Sequence, residues 1–147
     1  MTKVYLLPLP LALCACSGGI VTPYEPPTSG PIARLGVSGS AVGHTYLRRE
    51  GDCQKRHVPA DRLVTLIPAG KPLIVERVFN ATDPGGSAYC SVAVRFVPRP
   101  GEDYDARMVL EEMKCTLTLL AGPEGRAKPV HDLVQVPSEC EEPVAKD

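Results

Sequence analysis

The chain has no tryptophan, and its positive and negative side chains nearly cancel. With no basic excess there is no electrostatic footprint for nucleic acid, and there is no long acidic tail. Beyond the N-terminus no apolar run approaches the length of a membrane-crossing helix. Helical periodicity is scarce. G-x-S-x-G, H-E-x-x-H, a Walker loop and a dinucleotide fingerprint are all missing. Their absence removes the commonest sequence signs of serine hydrolases, zinc proteases and nucleotide-binding enzymes. Cys-x-x-Cys is missing too, which argues against a thiolate metal site. On these grounds no catalytic residue, cofactor or metal is expected.

What is there begins at residue 1. Lys3 supplies a short positive start, and Val4 to Leu13 is almost wholly apolar. About ten residues suit the core of an export signal and are too few to span a bilayer as a helix. Leu13-Cys14-Ala15-Cys16 follows. This resembles the lipobox of bacterial lipoproteins, with a branched apolar residue three before the cysteine and a small one directly before it. Cys16 has Ala15 before it, whereas Cys14 would have the bulky Leu13, so Cys16 is the expected lipidation site. The rival is an ordinary secretory signal, whose small-x-small site would be spoiled by Leu13. The resemblance implies a diacylglyceryl thioether on Cys16, usually with an N-acyl (palmitate-type) chain. Two or three chains at about 0.8 kcal/mol per buried methylene anchor a protein stably. Ser17, where such lipoproteins carry Asp for inner-membrane retention, implies the outer membrane, facing the periplasm.

The expected organisation is a signal peptide over 1–15, a lipidated N-terminus and flexible tether over 16–31, and one domain over 32–147. Ser17 to Pro31 is rich in Gly, Pro, Ser and Thr and has no apolar period. From Ile32 the pattern turns to β. IARLGV, HTYLRR, Leu63 to Ile67 and Leu73 to Phe79 read as strands, with Pro-Ala-Gly-Lys between the last two. Asp83-Pro84-Gly85-Gly86 is a turn. Cys90, Val92, Val94 and Phe96 then alternate with Ser91, Ala93 and Arg95, which gives one apolar face. Glu102 to Lys114 fits either a strand or a helix, and its β neighbours favour a strand. Cys115, Leu117 and Leu119 alternate with Thr116 and Thr118. Gly122 to Pro129 reads as a loop, and Val130 to Val136 as a last short strand.

Cys90, Phe96-Val97-Pro98, Gly101, Tyr104 and Cys115 form a second, less specific likeness. The outline is similar to one in small bacterial lipoproteins of uncharacterised activity, and it implies a small β-domain with a disulfide. The whole domain is expected to be a small, mostly antiparallel β-sandwich, with an immunoglobulin-like arrangement possible, stapled by two disulfides.

In an exported chain the four remaining cysteines, Cys53, Cys90, Cys115 and Cys140, read as two bonds with three possible connectivities. In a flat meander Cys90 and Cys115 would be about 9.6 Å apart, twice the strand spacing. A disulfide needs Cα atoms within ~7 Å. Their pairing therefore requires Val97 to Asp103 to cross to a facing sheet, as in immunoglobulin-like sandwiches. Cys53 then goes with Cys140. Basic neighbours of the first and acidic Glu139, Glu141 and Glu142 around the second favour that approach.

Arg48, Arg49, Lys55 and Arg56, with His57 and Arg62 nearby, form a possible anion-binding cluster for glycan or lipid headgroups. The alternative is a solvated face neutralised by the acidic C-terminus. Glu102, Asp103 and Asp105 lack the rest of an EF-hand loop. His44, His57 and His131 read as separate surface histidines. The expected function is a non-enzymatic envelope lipoprotein, an accessory or structural protein-interaction module held at the membrane by its lipid, with an unknown envelope protein as partner and no nucleic acid. Two alternatives are a lipid-anchored inhibitor or immunity protein against an envelope-targeting enzyme, and a small hydrolase or glycan-processing enzyme with an unrecognised site.

Overall fold

A computed structural model describes residues 21–39, 43–112 and 114–139. Their strands are β1 (Thr22–Pro23), β2 (Ile32–Gly39), β3 (His44–Arg49), β4 (Arg56–Val58), β5 (Val64–Pro68) and β6 (Leu73–Asp83). β7 (Gly86–Phe96), β8 (Asp103–Glu111), β9 (Lys114–Ala121), β10 (Lys128–Pro129) and β11 (Val134–Val136) follow. No helix occurs among the described residues.

One sheet has the order β1-β4-β3-β6-β7-β11 and the other β10-β9-β8-β2-β5. Their inner faces share one core. Leu47, Leu73, Val75, Val94 and Phe96 come from the first sheet, and Leu35, Ile67, Ala106, Met108 and Leu119 from the second. The alternation read from residues 90–96 and 115–119 is the alternation seen. Cys90 and Cys115 are half-buried against that core. The ambiguous segment is β8, with Tyr104, Ala106 and Met108 buried and Arg107 exposed between them.

Pro84-Gly85 joins β6 to β7, whose register runs from Leu73↔Phe96 to Asp83↔Gly86. Glu112 opens the β8–β9 turn at φ 45°, the positive value that tight hairpin turns favour. Gly43 lets β3 start against β6, because a Cβ there would overlap the Val78 carbonyl oxygen.

The sheets are mixed rather than purely antiparallel. β2 runs parallel to β8, and β1 parallel to β4. The crossover at 97–102 accounts for the first pair, since it returns the chain to the second sheet beside β2 and in the same direction. A further difference concerns residues 21–31, expected to be tether. Thr22 and Pro23 pair with Arg56 and His57, and Tyr24 is buried in the core with its hydroxyl donating to Leu66 O at 2.9 Å. A two-residue strand leaves no period to detect. The last strand is also shorter than 130–136, because His131 and Asp132 bend the chain before Val134.

Candidate functional site

Where β7 leaves the first sheet and β8 enters the second, the sandwich opens into a groove of about 760 Å³, within the range of ligand-sized clefts. Phe96 and Tyr104, packed edge to face at 5.1 Å between ring centroids, are among its lining residues. The Tyr104 hydroxyl accepts a hydrogen bond from the Arg99 N–H at 2.9 Å, which fixes the crossover loop. Exposed Val97 and Val134 face the opening with Arg99, Lys128 and His131. Arg95, also at the groove, is paired with Glu50. The short strands β10 and β11 flank the groove, each paired on one side only among the described residues.

The basic cluster does not form one free surface. Arg48 is buried, and its Nη2 donates to Pro137 O at 2.9 Å. Lys55 reaches Glu76, whose side chain is 2 % exposed on the outer face of β6. Ser91 donates to the same carboxylate at 2.8 Å and meets Ser138 Oγ at 2.8 Å. The segment after β11 therefore straps the outer face of the first sheet and helps to bury Glu76. Arg49 and Arg56 flank a small cavity of about 70 Å³ beside Tyr24, together with Glu25 and Asp52. Burial pushes the Tyr24 phenol up to about 12, with Arg49 and Arg56 acting the other way. Glu139 is exposed, and Glu141 and Glu142 lie outside the described residues.

Cys90 in β7 and Cys115 in β9 are bonded across the two sheets, with Cα atoms 6.2 Å apart. Cys53 is not without a partner, but Cys140, expected opposite it, lies outside the described residues, as do Cys14 and Cys16. Asp103 and Asp105 lie on β8 rather than in a cation-binding loop. The Arg34 guanidinium, bonded to Asp103 at 2.6 Å, holds that carboxyl below the usual carboxylate range. Asp105 accepts from Ser38 at 2.6 Å.

Two features escaped the sequence reading. Glu76 and Arg77 interrupt the apolar run of β6, and that interruption was the available signal of buried charge. Arg77 points inward, 3 % exposed, and donates to Thr45 Oγ1 at 3.1 Å. Burial lowers its pKa, and Asp105 opposes the shift. The other feature is that His44 and His57, thirteen residues apart, are neighbours on β3 and β4, while His131 is separate at the groove. No family model, curated protein or solved structure matches this chain.

Proposed function

We propose that this is a lipid-anchored envelope protein whose β-domain acts by holding an extended segment of another envelope protein, without catalysing a reaction. The leader and lipobox support the anchor, with lipid on Cys16, and Ser17 supports the outer membrane. The observation that carries the binding role is the groove. Its apolar residues, including Val97, Val130, Val134 and Phe96, lie among charged groups of both signs, Arg99, Lys128 and His131 with Glu102 and Asp132. Such a lining suits an extended segment with alternating apolar and polar side chains. The one-sided strands β10 and β11 offer backbone groups for strand addition. A second disulfide, Cys53 to Cys140, belongs to the same reading, since two staples suit a small domain with a thin core.

The test combines anchor and groove. Cys16→Ala abolishes palmitate labelling and releases the protein from membranes, and Cys14→Ala does neither. Photo-crosslinking residues placed at Val97 and Val134 capture one and the same envelope protein, and one placed at Thr116, on the opposite face of β9, does not. Labelling that survives Cys16→Ala defeats the anchor. Equal capture from all three positions defeats the groove.

A further inference from the structure

His44 in β3 and His57 in β4 stand on the outer face of the first sheet, with His44 Nδ1 and His57 Nε2 3.3 Å apart. Their rings are tilted at 55° with centroids 5.3 Å apart. Tyr46 lies against both, 5.3 Å from His57 and 6.4 Å from His44 between centroids. His44 is exposed and His57 half-buried, so the pair is open to solvent yet braced from one side.

We propose that His44 and His57 form a two-histidine site for a divalent first-row transition metal, with Cu²⁺ bound more tightly than Zn²⁺. Two points carry it. The first is the bite. Two nitrogens each held 2.0–2.1 Å from one ion are about 3.3–3.4 Å apart on a tetrahedral Zn²⁺ and about 2.8–3.0 Å apart on neighbouring positions of a tetragonal Cu²⁺. The observed 3.3 Å, also within hydrogen-bond reach of the two rings, matches the first and needs only a small ring movement for the second. The second is chemistry. Imidazole is a borderline donor that suits Cu, Zn and Ni, and on a given nitrogen site affinity rises to Cu²⁺ and falls again at Zn²⁺.

No group of three or more His, Cys, Asp or Glu ligands occurs among the described residues. Water therefore completes the coordination shell, and the ion keeps open positions for an outside ligand. The expected binding is exchangeable rather than structural. The metal ties β4, a three-residue strand, to β3 and so braces the edge onto which β1 pairs.

The test uses the untagged full-length protein, titrated separately with CuCl₂ and ZnCl₂. One Cu²⁺ binds per chain at this site, more tightly than Zn²⁺, and its electron paramagnetic resonance spectrum shows coupling to two imidazole nitrogens. His44→Ala and His57→Ala each weaken binding at least about tenfold, as loss of a ligand must cost no less than the loss of an outer-shell partner. His131→Ala leaves binding unchanged. Added Cu²⁺ raises the melting temperature of the wild type but not of either ligand variant. His57→Asn, which keeps polarity and size, repeats the result of His57→Ala. The spectrum of the wild type does not depend on how any variant folds. Absence of Cu²⁺ binding in the wild type, coupling to a single nitrogen, or affinity indifferent to His44 and His57 would each overturn the site.

Discussion

Lys55 Nζ lies 2.7 Å from a carboxylate oxygen of Glu76, and the two residues are unequally sheltered. The Glu76 side chain is 2 % exposed and the Lys55 side chain 34 %. Removing Lys55 strands a buried carboxylate, whereas removing Glu76 frees an amine that can turn to water. Lys55→Met should therefore destabilise the domain by about 3 kcal/mol, near the lower end for breaking a buried pair. Glu76→Gln should cost about 1–2 kcal/mol, the scale of a lost charge-assisted bond with Ser91 still partnered. Urea denaturation of both variants checks the order. Equal losses would show that Glu76 is wetter than its burial indicates.

The same pairing bears on anion binding. Two of the four cations in the possible anion-binding cluster are engaged, Lys55 by Glu76 and Arg48 by Pro137 O. The domain without the apolar leader and Cys16 should not sediment with anionic vesicles, even at low salt. Binding that weakens steeply between low and physiological salt would mean that Arg49 and Arg56 suffice for an anion site.

The inter-sheet bond gives a third expectation. Cys90 and Cys115 close a loop with a sequence separation of 25. Chain entropy assigns such a loop about 3.5 kcal/mol. Replacing both cysteines with Ala should cost that order of stability and lower the urea midpoint. Non-reducing peptide mapping should recover Cys90 linked to Cys115 and Cys53 linked to Cys140, with no free thiol in the domain.

Tyr24 sets an alkaline limit. Its phenol is raised from 10.0 to about 12 by burial, against the pull of Arg49 and Arg56. Because the folded value lies above the unfolded one, the unfolded chain releases its proton first. The contribution is fully present below about pH 10 and is lost as pH rises towards 12. Tyr24→Phe should lower stability at pH 8 by about 1 kcal/mol, the worth of one hydrogen bond. It should also flatten the decline between pH 9 and pH 11. Unfolding midpoints at those three values decide it, and an unchanged alkaline slope would place the titration elsewhere.

The parts of the fold legible in the sequence are those written in local alternation. Residues 90–96 and 115–119 repeat every two residues because one side of each strand meets apolar neighbours and the other does not. The Asp83–Gly86 turn is legible for the same reason, since its chemistry lies within four consecutive residues. The crossing to a facing sheet followed from distance only once Cys90 was paired with Cys115, one of three open connectivities, because a flat sheet holds the two cysteines too far apart.

β1 and β4, of two and three residues, were not legible, since each is held by a partner distant in sequence rather than by its own pattern. The partners of the basic residues were hidden for a related reason. Charges close in sequence meet groups far along the chain, so Arg48 meets Pro137 and Lys55 meets Glu76. The His44–His57 pair arises wholly from strand registry. His57 lies opposite Tyr46, which places its ring within reach of His44 two residues away on β3. Composition and strand alternation are properties of neighbouring residues, and the sequence by itself determined them. Which strands lie side by side depends on closing long loops around one core, and only the tertiary structure decided that.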